Sequence, residues 1–288
     1  MSDHDRSRRE FFGWSAAAGL AAATRSIAAA PGEIVDQEVA IRTADGTCDA
    51  VFCHPRKGTH AGVLIWTDIF GLRPVFREFG RRLAAAGYAV LVPNPFYRSA
   101  RAPVFGDISA FSFQNEADRA KLPPLAGPLT AAGAAERDAR AYVDFLDAQR
   151  PVSKSRKIGT QGYCMGGPLV VRTAAAVPER IGAGASFHGG GLVTDKPDSP
   201  HLLIPKIRAQ LYFALAANDD ARAPEDKNTL RAACAAASVQ AEIEVYSGAQ
   251  HGWCVPDMPA QNGTAIYSKP DAERAWTRLL SLYHTALS

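Results

Sequence analysis

A cysteine, a histidine and a pair of aspartates stand where this chain can most readily build chemistry. Cys164 is framed as Gly162-Tyr163-Cys164-Met165-Gly166, the G-x-nucleophile-x-G spacing of a sharp strand-to-helix turn. Glycines at both ends keep side chains out of that turn. The helix that follows points the positive end of its dipole at the sulfur, favouring thiolate over thiol and offering the Met165 N–H to an oxyanion. Taken alone, the motif also suits a cysteine that only packs in a glycine-rich turn. The residues downstream weigh for the reactive reading: Asn218-Asp219-Asp220 and then His251, in Gly248-Ala249-Gln250-His251-Gly252, complete the order nucleophile, acid, histidine. A carboxylate on one imidazole nitrogen fixes the tautomer and favours the cation while the other nitrogen faces the thiol. Such a set performs acyl transfer, in which a nucleophile attacks a carbonyl and the acyl-enzyme is then hydrolysed.

These residues need a scaffold that gathers three distant segments. The body opens with antiparallel strands, one through Ile34, Val39 and Ile41 and a hairpin partner from Cys48 to His54 across the Asp45-Gly46 turn. Gly62–Trp66 and Tyr88–Val92 are continuous apolar runs typical of strands buried on both faces, with a helix over 75–86 between them. Further strands are expected at 157–161, 181–187, 209–215 and 241–246, and helices at 131–149, 165–176, 224–237 and 271–287. This alternation predicts an α/β fold, a mostly parallel twisted sheet with helices on both faces, and each candidate site residue falls at the C-terminal end of a strand. Residues 94–128, rich in Pro, Gly, Ser and Arg, are too many for a bare connection and predict a partial lid.

Composition narrows the function classes. The chain has 288 residues, 47% hydrophobic and 21% charged, enough to bury an enzyme-sized core. Its 32 basic and 29 acidic residues leave a net charge of +3, without the basic stripe that nucleic acid or a membrane surface requires. Five cysteines are too few for a disulfide scaffold. Cys48 and Cys53 point to opposite faces of one strand, Cys234 suits a helix core position, and packing is also the expectation for Cys254. The histidines and cysteines show no metal-ligand spacing, so neither metal nor cofactor is expected.

Residues 1–30 read as an address rather than as fold. Arg8-Arg9 followed by Phe11-Phe12, an alanine-rich stretch and Ala28-Ala29-Ala30 resemble a twin-arginine export signal with a small-residue cleavage site. Gly19, Thr24 and Arg25 interrupt the apolar stretch, so no stable membrane anchor is expected. The leader thus predicts the twin-arginine machinery as an export partner, a periplasmic or secreted location, and one folded domain over residues 31–288.

From about Asp36 onward the chain resembles the dienelactone hydrolase family, cysteine-dependent α/β-hydrolases that open enol-lactones. Four motifs carry the resemblance: Thr67-Asp68-Ile69-Phe70-Gly71, Gly87–Pro93, Gly162–Gly167 and Ala249–Gly252. It implies Cys164 as nucleophile, His251 as general base, and Asp220, four residues before Pro224, as orienting acid with Asp219 as fallback. It also implies the backbone N–H groups of Ile69 and Met165 as oxyanion donors. Two departures stand out. Asp68 replaces a glutamate that modulates the resting thiol, and Val255 replaces one of two arginines that grip a substrate carboxylate, leaving Arg98 as candidate for the other. The substrate expected is a small ester or lactone less acidic than the family's own. The alternative from another class is a member of the fold that binds a small ligand without turning it over. His188-Gly189-Gly190-Gly191 imitates a lipase oxyanion motif but follows the nucleophile strand instead of preceding it, and is read as a structural loop near the site.

Overall fold

A computed structural model describes residues 33–261 and 263–288. The leader, with its expected export signal and cleavage site, lies outside the described residues.

Among the described residues eight strands form one sheet: β1 (Ile34–Thr43), β2 (Gly46–Pro55), β3 (Gly62–Trp66), β4 (Ala89–Pro93), β5 (Ile158–Tyr163), β6 (Ile181–Phe187), β7 (Gln210–Ala216) and β8 (Ala241–Tyr246). Their spatial order is β1-β2-β4-β3-β5-β6-β7-β8. β1 and β2 form the expected hairpin and β2 pairs antiparallel with β4, whereas every pair from β4 to β8 is parallel.

Alternation along the strands feeds two cores. In β3, Leu64 and Trp66 pack on the same face as Tyr142 and Leu146, while Val63 and Ile65 pack against Phe76 and Leu83. The first face is covered by α4 (Ala134–Ala148), α5 (Gly166–Ala176) and α7 (Asp226–Ala236), the second by α1 (Pro74–Ala85) and α8 (Lys269–Ala286). Burying each large apolar side chain contributes about 1.5–3 kcal/mol, which is what holds helices to both faces. Cys48 and Cys53 fall in opposite cores and form no disulfide.

Several short elements were not anticipated. A short α6 (Ala217–Arg222) follows β7 directly, and a 3-10 turn occupies Pro200–Lys206. The long connection after β4 carries α2 (Glu116–Arg119) and α3 (Pro123–Thr130), and is pinned at its start by Asn94, whose amide donates to Asp49 Oδ1 and the Ala100 carbonyl. Phe111 and Ile108 in this connection pack on Phe70 to form a small separate core, so it does fold back as a lid.

The strand order contains the feature that locates a site. From β3 the chain crosses outward to β4, then returns through α4 to β5 on the other side of β3. In an open α/β sheet such a reversal leaves a crevice beyond the carboxyl ends of the two strands concerned. Here those ends deliver Ile69 and Cys164.

Candidate active site

At the end of β5 the backbone turns so tightly that Cys164 adopts φ +51, a left-handed conformation that a non-glycine residue holds only when its surroundings impose it. The glycines show how close the approach is. A Cβ on Gly162 would stand 2.1 Å from the Gly166 carbonyl oxygen, and one on Gly166 would stand 2.5 Å from the Trp66 carbonyl oxygen. No larger residue fits between β3, β5 and the first turn of α5. Cys164 is consequently raised at the N-terminus of α5, partly exposed, while Cys48, Cys53, Cys234 and Cys254 are buried.

His251 sits in the turn after β8. Its Nδ1 lies 2.6 Å from Asp219 Oδ2, and its backbone N–H donates to Asn218 Oδ1 at 2.9 Å. Burial disfavours the imidazolium, but the hydrogen bonds and charges of Asp219 and Cys164 outweigh it and push the His251 pKa up to about 10.

The carboxylate on the histidine is therefore Asp219 rather than Asp220. Both lie in α6, and one step along a helix turns a side chain by about 100°. Asp220 faces α7 instead, where Lys227 Nζ donates to it at 2.7 Å.

Two other expected side chains are also engaged elsewhere. Asp68 accepts from Arg73 through both oxygens, at 2.6 and 2.9 Å, and from the Phe70 N–H at 2.9 Å. Arg73 in turn reaches Asp257 through two further bonds of 2.8 Å. Asp68 is fully buried, and its acceptor sites point to this arginine and to its own loop. It braces the segment carrying Ile69 rather than addressing the thiol or a substrate. Arg98 is bound to Asp138 through two nitrogens, at 2.8 and 2.7 Å, and to Asp45 at 2.6 Å, and it does not line the crevice. An arginine already neutralised by two carboxylates is not free to grip a third.

The crevice itself is a cavity of about 430 Å³ with Cys164 and His251 in its wall. Ile69 and Met165 line it as well, and among the described residues their backbone N–H groups have no acceptor. Phe113 and Gln114 from the lid and Met258, Pro259 and Ile266 from the loop after β8 close the sides. Among the described residues Arg222 is the one guanidinium in the lining, exposed and 3.5 Å from Asp219 Oδ1. Sequence reasoning missed it, because a charged residue at the end of a short helix carries no signal of its own. A larger hollow of about 600 Å³ lies against β1, β2 and α1 and is lined by none of these groups. Size alone does not mark the site. Among the described residues no cluster of side chains suits a metal ion, and no helix is long and apolar enough to cross a membrane.

Strand order, crevice and elbow put this chain among the α/β-hydrolases. Within them it belongs to the dienelactone hydrolase family, whose sequence model matches residues 48–287. It is 25% identical over 251 residues to the carboxymethylenebutenolidase of Rhodococcus opacus, covering 84% of this chain and 89% of that protein. It is 31% identical over 203 residues to Hydrolase pyvD of Aspergillus violaceofuscus, covering 70% and 73% respectively. A solved structure, the dienelactone hydrolase-like promiscuous phosphotriesterase P91 from metagenomic libraries, superposes with a TM-score of 0.71 at 22% identity over 89% of this chain and all of that one, a likeness of fold. The chain is a hydrolase of this family, and nothing favours the non-catalytic alternative.

Proposed function

We propose that the protein hydrolyses activated carboxylic esters, enol-lactones among them, with Cys164 as nucleophile, His251 as general base and acid, and Asp219 as the orienting carboxylate. The observation that carries this reading is that His251, held by Asp219, and a strained, partly exposed Cys164 share the wall of one 430 Å³ cavity. The Cys164 thiolate attacks the carbonyl carbon, and the Ile69 and Met165 amides stabilise the resulting oxyanion. The tetrahedral adduct collapses to a thioester as the C–O bond breaks, and His251 gives its proton to the departing oxygen. Water then attacks the thioester while His251 removes its proton, and the thiolate leaves.

Thiolate is a better leaving group than an ordinary alkoxide, so the forward reaction favours substrates whose alcohol is itself a good leaving group, such as an enol or a phenol. With Arg98 held by Asp45 and Asp138, and Val255 buried, both arms of the family's carboxylate grip are missing. The largely apolar walls suit a substrate that does not depend on such a grip. Turnover of enol-lactones and p-nitrophenyl esters by the purified protein tests the reading. Cys164→Ala should abolish it, and undiminished turnover by that variant would exclude the mechanism. Export by the twin-arginine route is part of the same proposal, resting on Arg8-Arg9 and Phe11-Phe12. Replacing both arginines with lysine should leave the protein in the cytoplasm.

A further inference from the structure

β5 and β6 run side by side to the pair Tyr163 and Phe187, and each then continues by one residue into left-handed backbone, Cys164 with φ +51 and His188 with φ +40. The two residues are joined. The Cys164 N–H is shared between the Phe187 carbonyl at 3.0 Å and His188 Nδ1 at 3.1 Å. The His188 N–H donates to the Ala214 carbonyl at 2.8 Å, which ties the residue to β7 as well.

The side chain is fully buried and takes no part in the cavity wall. To accept the Cys164 N–H, Nδ1 must carry no proton, so the ring is neutral and protonated at Nε2. Burial and the neighbouring His251 both push its pKa well down, in keeping with that form. Its ring meets His251 edge to face at 4.8 Å and Trp253 at 5.3 Å, and among the described residues Nε2 has no hydrogen-bond partner. A histidine serving only to fill the core would do better with both nitrogens satisfied or with a phenylalanine in its place. Its arrangement instead makes sense around one contact, the N–H of the nucleophile.

We propose that His188 is a positioning residue for this site: as a neutral imidazole it holds the Cys164 backbone in its left-handed turn and backs the His251 ring, setting the approach of thiol and base. The inference rests on Cys164 being the nucleophile. Asparagine presents an acceptor, Oδ1, where histidine has Nδ1, and it tolerates left-handed backbone. Phenylalanine keeps a ring against His251 and loses the acceptor.

The test is the second-order rate of Cys164 alkylation by iodoacetamide at pH 7, followed by mass spectrometry, with melting temperatures recorded in parallel. His188→Phe should slow alkylation by about tenfold, and His188→Asn should recover it to within about threefold of the parent, the span one hydrogen bond controls. If the phenylalanine variant does not fold, His188→Ala removes the acceptor without adding bulk and takes its place. A parent-like rate without the acceptor, or an asparagine variant as slow as the phenylalanine one, overturns the proposal. Failure of the underlying reading looks different: the parent itself would then alkylate slowly, and His251→Ala would change nothing.

Discussion

Asp219 and His251 are held together twice, by the 2.6 Å contact between Oδ2 and Nδ1 and by the neighbouring Asn218 side chain, which accepts the His251 backbone N–H at 2.9 Å. The Ala217 N–H adds a third tie, to the Ala249 carbonyl at 2.9 Å. The segments after β7 and β8 therefore move as one piece, and the imidazole has little freedom to turn away from the thiol. Preorganisation of this kind lowers the barrier without any new contact to substrate.

The first prediction separates the two adjacent aspartates. Asp219→Asn should lower kcat/KM for an activated aryl ester by about 10²–10⁴-fold, because the imidazole loses both its tautomer control and its counter-charge. Asp220→Asn breaks only the contact with Lys227 and should stay within about threefold, since a partly exposed ion pair contributes little. Equal losses in the two variants would show that the orienting acid has been misassigned.

The second concerns pH. The folded protein raises the His251 pKa from 6.5 to about 10, so protonation of this residue favours the folded state. That contribution is full below about pH 6.5 and is lost as the pH climbs toward about 10. Asp219→Asn removes a main cause of the shift. The gap in melting temperature between parent and variant should be widest near pH 6 and should close by about pH 10, and a gap that grows with pH would contradict the assignment.

A third addresses the buried ion pair beneath the loop that carries Ile69. Arg73→Met leaves Asp68 enclosed without its partner and should reduce stability by about 3–5 kcal/mol in urea titrations. Asp257→Asn should have a much smaller effect, because that carboxylate is 37% exposed and water replaces the lost contact.

Cysteine accessibility supplies a fourth. In the native protein a small alkylating agent should modify Cys164 alone among the five cysteines. Cys48 and Cys53 are buried, and desolvation pushes each thiol's pKa up to about 12. Cys234 and Cys254 are buried as well, and all four should react only after unfolding in guanidinium. Native labelling at Cys254 would mean that the loop after His251 opens more readily than its packing implies.

Much of this architecture is legible in the chain itself because it rests on local rules. The apolar runs of β3 and β4 are typical of strands buried on both faces, and the glycines around Cys164 announce a turn that excludes side chains. The choice between Asp219 and Asp220 is not local. It depends on the rotational phase of α6, a six-residue helix whose start is fixed by how β7 and β8 are tied together. Arg98 was misread for a related reason, since Asp45 and Asp138, which neutralise it, are brought alongside only by the folded sheet. The His188 loop was placed correctly near the site, but its link to the Cys164 N–H appears only when β5 and β6 lie side by side.

Phe70 gives the lid a bearing on chemistry that sequence spacing alone does not suggest. Its ring is the fixed partner against which Phe111 and Phe105 pack, and the residue immediately before it is Ile69. A lid residue such as Gln114, which lines the cavity outside the aromatic cluster, can change to admit a differently shaped substrate, provided the seat on Phe70 is kept. A change that loosens the seat is felt at once at the Ile69 amide, the proposed oxyanion donor. New specificities in this scaffold should therefore arise more readily at the lid's tip than at its root.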